Sequence, residues 1–257
     1  MRIGICGLDR AAIARDAGYA FVEPAAAYNL KPDAGDGEWA ALRERLLTCP
    51  LPTPACNLLL GGDLKLFGPE RDMGRLEAYC GRLFERLEAI GCTIQVFGSG
   101  KARTPPAGYA ADRALDELIE FTRRIAPMAA AHGVVLAMEH LRRAECGLLT
   151  TVAETTRFVR EVNHPAVRLL IDTYHLAQEG EPLEVIDEAA GLIVHVHVAD
   201  GVTRHEPSRA GSDLRPVFRR LKAVGYDAGI SVECAWQDID RELKPTRDLV
   251  AAQWAEA

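Results

Sequence analysis

Four ionisable side chains lie at or near the ends of four apolar segments in the second half of the chain. Glu139 ends "VVLAME", Asp172 ends "VRLLID", His197 lies in "LIVHVHVAD" and Glu233 lies in "GISVEC". If these three carboxylates and one imidazole converge, they repel one another unless a cation neutralises them. Their mostly oxygen donors favour manganese, magnesium or cobalt over a thiolate-type zinc site. The pattern therefore predicts a divalent-metal site.

These segments belong to a regular alternation of strand and helix patterns. Apolar strands separated by helices indicate parallel strands that are covered on the outside. Amphipathic stretches such as "MGRLEAYCGRLFERLEAI" separate most of the eight strand candidates, which are "RIGIC", "YAFVE", "TPACN", "TIQVFG", "VVLAME", "VRLLID", "LIVHVHVAD" and "GISVEC". Eight such units in 257 residues predict an α/β fold, a single (β/α)8 TIM barrel that forms one domain over residues 1–257.

An open doubly wound sheet is the alternative fold. Such a sheet normally carries a G-x-G-x-x-G fingerprint after its first strand, and "GICGLDRAA" lacks it. In a barrel, the carboxyl ends of the strands form the active face. The four ionisable side chains come from strands five to eight and are expected to meet at that face.

Composition and charge narrow the function classes. A formal charge of −7 disfavours nucleic acid and anionic membranes as partners. No segment approaches a membrane span, and the apolar run in "MRIGICGLDR" is too short for a secretory signal. The seven cysteines form no C-x-x-C pair, which indicates free thiols in a reducing compartment. We therefore expect a cytoplasmic protein, and formation of a homo-oligomer is left open.

Longer motifs around the strand ends carry a family resemblance. They are "MEHLRRAE", "IDTYH", "HVHVADGVTRHEP" and "GYDAGISVEC". Through them the chain resembles the xylose isomerase-like barrels, specifically the sugar phosphate isomerase/epimerase family. That family includes ketose 3-epimerases, hydroxypyruvate isomerase and inosose dehydratase. The resemblance covers essentially the whole chain.

The resemblance implies roles for individual residues. The implied metal ligands are Glu139, Asp172, His197 and Glu233. Two of these, Glu139 and Glu233, are also the implied catalytic bases. The implied substrate contacts are Glu145, His175 and Arg204. The position of His175, in the loop just beyond Asp172, independently places it where it can touch a substrate.

The chain also departs from the family pattern. His140 and Arg142 stand where members commonly carry Pro and Asn. The segment "TRHEP" is most similar to hydroxypyruvate isomerase, although that enzyme usually has Gln at the place of His197. These departures blur the identity of the substrate. They leave the metal site intact, since Glu139 and Glu145 keep their spacing.

The combination of metal and paired carboxylates predicts proton transfer beside a carbonyl. Removing such a proton needs a positioned base and stabilisation of the enolate charge, which a divalent metal supplies. We expect manganese first, with magnesium, cobalt or zinc as alternatives. The predicted protein is a metal-dependent isomerase or epimerase of a small sugar, keto-sugar or related hydroxy-carbonyl compound. Expulsion of hydroxide at the same site would instead make it a dehydratase of an inosose or keto-sugar acid.

Two further functions and three further residues complete the expectations. A non-catalytic sugar-binding barrel remains an alternative, whereas cleavage of abasic DNA is disfavoured because it needs more histidines and a basic face. Glu23 is expected to anchor a turn or a substrate hydroxyl, and His195 is interpreted as structural or as a support for the site. In "FGSGK", a glycine turn is favoured over an anion site that uses Lys101.

Overall fold

The computed structural model describes the backbone of residues 1–257 and every side chain except that of residue 210. The strands are β1 (Arg2–Cys6), β2 (Phe21–Glu23), β3 (Ala55–Cys56), β4 (Ile94–Phe97), β5 (Val135–Glu139), β6 (Val167–Asp172), β7 (Ile193–Val198) and β8 (Gly229–Val232). The helices are α1 (Ala11–Asp16), α2 (Ala26–Asn29), α3 (Asp36–Leu47), α4 (Met73–Ala89), α5 (Gly100–Arg103), α6 (Ala111–Ala131), α7 (Val152–Val162), α8 (Thr173–Glu179), α9 (Val185–Glu188), α10 (Pro207–Ala210), α11 (Arg215–Ala223) and α12 (Ile239–Glu256). Each predicted strand segment contains one of these strands.

The strands form one parallel sheet in the order β2-β1-β8-β7-β6-β5-β4-β3. Because β1 pairs with β8, the sheet curls into a barrel with the helices outside. In the part of the chain that the structure describes, β2 and β3 share no ladder. An isolated bridge between Ala25 and Asn57 lies at this seam, and backbone hydrogen bonds such as the one from Val22 N to Pro52 O at 3.0 Å also cross it. The predicted TIM barrel is confirmed, and its extent as one domain stays a prediction.

The helices cover the sheet through their apolar faces. In α4, Leu76, Leu83 and Leu87 recur at helical spacing and are buried. The side chain of Asp72 caps this helix by accepting a hydrogen bond of 3.0 Å from Arg75 N. None of the helices described combines the length and the apolar character needed to cross a bilayer.

Phe21 fills the lower part of the barrel interior, near the amino ends of the strands. It is fully buried and lies opposite Gly4 in the register of β1 and β2. A Cβ atom on Gly4 would lie 2.1 Å from Cε2 of the ring, and one on Gly229 would lie 3.1 Å from Cζ. The two glycines thus make room for the ring, which forms a floor beneath the inward residues that follow it.

A bulge in β7 aims two histidines into the barrel. Leu169 pairs with Ile193, but the next residue, Leu170, pairs with His195, so Val194 is the extra residue. Val194 packs on a small interior cluster that includes Leu170. After the bulge, His195 and His197 alternate onto the same inward face as Leu170 and Asp172.

Replacement of Gly4 by Ala is expected to destabilise the barrel. The added methyl overlaps the Phe21 ring, and overpacking of this kind costs about 1–3 kcal/mol. Gly37→Ala is the matched control, because a Cβ there meets nothing within 4 Å in helix α3. Denaturant unfolding of both variants provides the measurement. A free energy of unfolding that is equal in G4A and the native chain would contradict the packing described here.

Candidate metal centre

The four predicted ligands lie together at the carboxyl ends of the strands. Glu139 and Asp172 are the last residues of β5 and β6, and His197 is the penultimate residue of β7. Glu233 follows β8 and stays in register, since its N donates to Val198 O at 3.1 Å. One donor atom from each of the four lies within 4.8 Å of the other three. The structure therefore brings them together, and their role as metal ligands stays a prediction.

The donor atoms surround a single imidazole nitrogen. His197 Nδ1 lies 3.3 Å from Glu139 Oε1, 3.4 Å from Glu233 Oε2 and 4.0 Å from Asp172 Oδ2. Among the described residues, Glu139 Oε1, Asp172 Oδ2 and His197 Nδ1 are buried without a hydrogen-bond partner. Each such group costs about 1–3 kcal/mol when unsatisfied. A divalent cation suits this set of three carboxylates and one imidazole, because it would satisfy all the free donor atoms at once.

Glu23 orients His197 from beneath. It is fully buried, with Oε1 2.8 Å from His197 Nε2 and Oε2 2.7 Å from His195 Nε2. Ser231 Oγ also donates to Oε2, at 2.5 Å. Burial opposes ionisation, but the imidazoles of His197 and His195 outweigh it and hold the pKa of Glu23 well below its usual range. Because an ionised carboxylate only accepts, Nε2 of His197 carries a proton toward Glu23, and Nδ1 is the nitrogen left to bind a proton or a cation.

Both expectations for the Glu23 side chain were therefore wrong. Its carboxylate binds His195 and His197 beneath the cluster, and both of its oxygens are used there. The interpretation of His195 as a structural residue agrees with its bonds to Glu23 and Ser231. The sequence does show an acid at the end of strand two and an "HVH" motif in strand seven. It does not show that these strands face each other across the barrel.

Burial and neighbouring charges together set the pKa values in the cluster. Burial lowers the pKa of His197, but Glu23 and Glu233 raise it by a larger amount, so the pKa lies well above the usual value. Burial raises the pKa of Asp172, and Glu139 and Glu233 add to this. For Glu233, burial is outweighed by His197 and Arg204, which lower its pKa to about 2. The cluster thus attracts positive charge toward His197 Nδ1, where a bound cation would take the place of the imidazolium proton.

Two residues of the β4 loop support Glu139. A Cβ atom on Gly98 would lie 2.0 Å from Glu139 Oε2, so the first glycine of "FGSGK" makes room for this carboxylate. Arg103 is fully buried, and its Nη1 donates to Glu139 O at 2.8 Å and to Phe97 O at 3.0 Å. It therefore ties together the ends of β4 and β5. The sequence alone indicates neither role, because each depends on a neighbouring strand.

Arg204 connects the metal centre with the mouth. Its Nη2 donates to Glu233 Oε2 at 3.0 Å and its Nη1 donates to both oxygens of Glu145 at 3.2 Å. Its guanidinium carbon lies 5.1 Å from the centroid of the Tyr174 ring. The backbone of Arg204 has a φ of 59°, an uncommon value for a residue with a side chain. Asp200 shapes the same loop by accepting from Thr203 N at 2.7 Å.

His175 lies beside Asp172 and is fully buried. Its N donates to Asp172 Oδ1 at 2.9 Å, and its Nδ1 accepts from Arg142 N at 3.2 Å. Because Nδ1 is the acceptor, Nε2 carries the ring proton, and this group has no partner among the described residues. A free buried donor is suitable for holding a substrate oxygen. The roles of Glu145, His175 and Arg204 as substrate contacts stay predictions.

Comparison with known proteins shows the family of the chain. A family model described as xylose isomerase-like TIM barrel matches residues 11–254. A putative hydroxypyruvate isomerase from Streptomyces coelicolor is 29% identical over 243 residues, which cover 88% of this chain and 84% of that protein. A D-psicose 3-epimerase from Ruminiclostridium cellulolyticum is 29% identical over 116 residues, 45% of this chain. That match spans only 39% of the epimerase's own length.

A solved structure shares the fold over nearly the full length. It is a D-allulose 3-epimerase from Methylomonas sp. in complex with D-allulose. The TM-score is 0.85 at 20% identity, and the match covers 98% of this chain and 97% of the other. At this identity the likeness supports the barrel fold alone.

Gly98→Ala is expected to weaken binding of Mn²⁺ by about tenfold or more, because the added methyl displaces the Glu139 carboxylate. Isothermal titration with Mn²⁺ measures the affinity, and circular dichroism checks the fold. Gly147→Ala is the control, since a Cβ at that position meets nothing within 4 Å. Equal Mn²⁺ affinity in G98A and the native chain would show that Glu139 is not a ligand in this position.

Glu23→Gln is expected to lower Mn²⁺ affinity by about 10–100-fold while the fold is retained. A glutamine has one acceptor oxygen in place of two, so His195 and His197 cannot both keep their partner. The control is Glu38→Gln, whose side chain is 52% exposed and lies in helix α3. An E23Q variant that binds Mn²⁺ as tightly as E38Q would rule out this support of His197.

Proposed function

This chain belongs to the xylose isomerase-like TIM barrel family, and we propose that it is a divalent-metal-dependent isomerase or epimerase. The proposed substrate is a small sugar, keto-sugar or related hydroxy-carbonyl compound, with proton transfer beside its carbonyl group. The relatives described above, a sugar epimerase and a putative hydroxypyruvate isomerase, support this class of reaction. The activity and the substrate of the whole protein are our proposals.

One observation carries the proposal. Glu139, Asp172 and His197 each place one potential metal-ligand atom in the cluster next to Glu233. In the described structure these three atoms are buried and have no hydrogen-bond partner. An apolar core gains nothing from such an arrangement, because each group loses its hydration. The cost is understandable if the cluster holds a cation that takes part in chemistry.

The proposed chemistry divides between the cation and the two glutamates. A divalent cation held by Glu139, Asp172, His197 and Glu233 would stabilise negative charge on an enolate oxygen. Glu139 and Glu233 come from β5 and β8, so they reach a substrate between them from different sides. One carboxylate takes the proton beside the carbonyl. The other returns a proton to the opposite face, which inverts the carbon, or to the neighbouring carbon, which isomerises the sugar.

The remaining groups would hold the substrate. His175 offers its unpartnered Nε2 proton, and Arg204 and Glu145 form a linked pair at the mouth. Despite burial, His197 and, to a lesser extent, Arg204 lower the pKa of Glu233 to about 2 and so keep its carboxylate ionised. We propose manganese as the cation, with magnesium, cobalt or zinc as alternatives. A cytoplasmic location remains a proposal that follows from the free cysteines.

The reaction can be identified by a screen of the Mn²⁺-loaded protein in deuterated water. Ketoses, inososes and hydroxypyruvate are the candidate substrates. A stereoisomer with deuterium at the inverted carbon identifies an epimerase, and a ketose–aldose exchange identifies an isomerase. A dehydrated product would replace the proposal with a dehydratase. Binding of a sugar without any exchange of deuterium would indicate a non-catalytic binding barrel.

Glu139→Gln and Glu233→Gln are each expected to abolish turnover with the fold retained. If two bases act from opposite sides, each variant keeps proton exchange for the one stereoisomer that faces its remaining carboxylate. Mass spectrometry of substrate incubated in deuterated water detects this asymmetry. Near-native turnover in either variant would eliminate the two-base mechanism. The exposed substitution Glu38→Gln serves as the control.

Arg204→Ala is expected to raise KM or to slow turnover without changing the metal content. Its guanidinium reaches Glu145 and Glu233 from the mouth, and no donor atom of Arg204 can coordinate a cation. Arg209→Ala, at an exposed position of α10, is the control. Elemental analysis and steady-state kinetics provide the two readouts. Loss of bound metal in R204A alone would assign Arg204 to the metal centre and not to the substrate.

A further inference from the structure

Cys6 lies on the inner wall of the barrel beside the metal centre. It is the last residue of β1 and shares its strand face with Gly4, which lies against the interior Phe21 ring. In register it pairs with Glu23 on one side. On the other side β1 pairs with β8, which leads directly into Glu233. Cys6 therefore lies between Glu23, which binds His197, and Glu233, a proposed metal ligand.

The Cys6 thiol has two donors within reach. One donor atom from each of Cys6, His197 and Glu233 lies within 4.8 Å of the other two. His197 is fully buried, and its Nδ1 has no hydrogen-bond partner among the described residues. Cys6 as a residue is partly exposed. These are separate observations, one on the position of sulfur and one on an unsatisfied nitrogen.

The two overlapping donor sets differ in chemical softness. The set with Glu139 and Asp172 is mostly carboxylate and suits hard cations such as Mn²⁺. The set with Cys6 offers sulfur, nitrogen and oxygen, and three protein ligands of these types are sufficient for a zinc site with one open position. Thiolates favour soft cations over hard ones.

We propose that Cys6, His197 and Glu233 form a second, overlapping site for thiophilic divalent cations such as Cd²⁺ and Zn²⁺. The inference builds on the proposed metal-dependent function, because it shares two ligands with that metal centre. Binding converts the thiol to a thiolate and releases its proton to solvent. A cation in this set does not use Glu139 or Asp172. Thiophilic cations therefore compete with Mn²⁺ for the protein and occupy it in a different coordination.

The experiment titrates the full chain with Cd²⁺ alone and follows the ultraviolet charge-transfer absorption of a cadmium thiolate. The native chain and a Cys49→Ser control, altered at a partly exposed cysteine before β3, should develop this absorption. Cys6→Ser should lose it and still bind Mn²⁺. Asp172→Ala should keep it and lose Mn²⁺ binding. Excess Mn²⁺ should suppress it in the native chain.

A second measurement needs no variant. Iodoacetamide labelling of the native chain at alkaline pH, read by peptide mass spectrometry, should modify Cys6 without metal and leave it unmodified with Cd²⁺. Absence of labelling in both cases would show a thiol closed to solvent and would count against the proposal. Full labelling in the presence of Cd²⁺ would overturn the proposal, as would an unchanged absorption in Cys6→Ser or one that excess Mn²⁺ leaves intact. If Cd²⁺ engages Cys6 but Mn²⁺ does not bind the native chain, the Cys6 site stands and the proposed manganese centre fails.

Discussion

The hydrogen bond between Glu23 and His197 is the interaction on which the rest of the centre depends. Glu23 holds a proton on His197 Nε2, so Nδ1 is the nitrogen that faces Glu139, Asp172 and Glu233. Without that bond the imidazole could present either nitrogen, and the donor set would lose its defined geometry. Glu23 itself remains ionised in a buried position because His195 and Ser231 also bind it. The barrel interior thus contains an ionised acid whose charge is supported by hydrogen bonds.

The barrel makes several local adjustments that serve this arrangement. The bulge at Val194 turns His195 and His197 inward, and Phe21 forms the floor on which their layer rests. Gly98 removes a side chain where the Glu139 carboxylate lies. The bulge interrupts the regular ladder between β6 and β7, and Gly98 leaves out a side chain. Their shared result is a group of donor atoms at one end of a rigid scaffold.

The sequence predicts the fold and the four donors because both depend on short-range patterns. The alternation of apolar strands with amphipathic helices indicates a barrel, and a polar residue that ends a strand is visible without a structure. Partners across the barrel are not visible in this way. Glu23 and His197 are 174 residues apart and lie on strands that are not neighbours in the sheet. Arg103 likewise has no helical or strand pattern that distinguishes it from a surface arginine.

The predicted third strand, "TPACN", is also longer than the two-residue β3. Strand length depends on pairing from both sides, and β3 has a ladder only with β4 in the described structure. Residue patterns indicate which segments are extended. They do not indicate which neighbour is missing, since that depends on how the sheet closes.

The seam between β2 and β3 links the closure of the barrel to its chemistry. Asn57 O accepts from Ala26 N at 2.8 Å across the seam, while the Asn57 side chain donates to Glu233 Oε1 at 3.3 Å. Any local opening of this seam carries Asn57 away from Glu233. A ligand that fixes Glu233 therefore also restrains the opening. Slower amide hydrogen exchange at Ala26 would report occupancy of the site from outside the cluster itself.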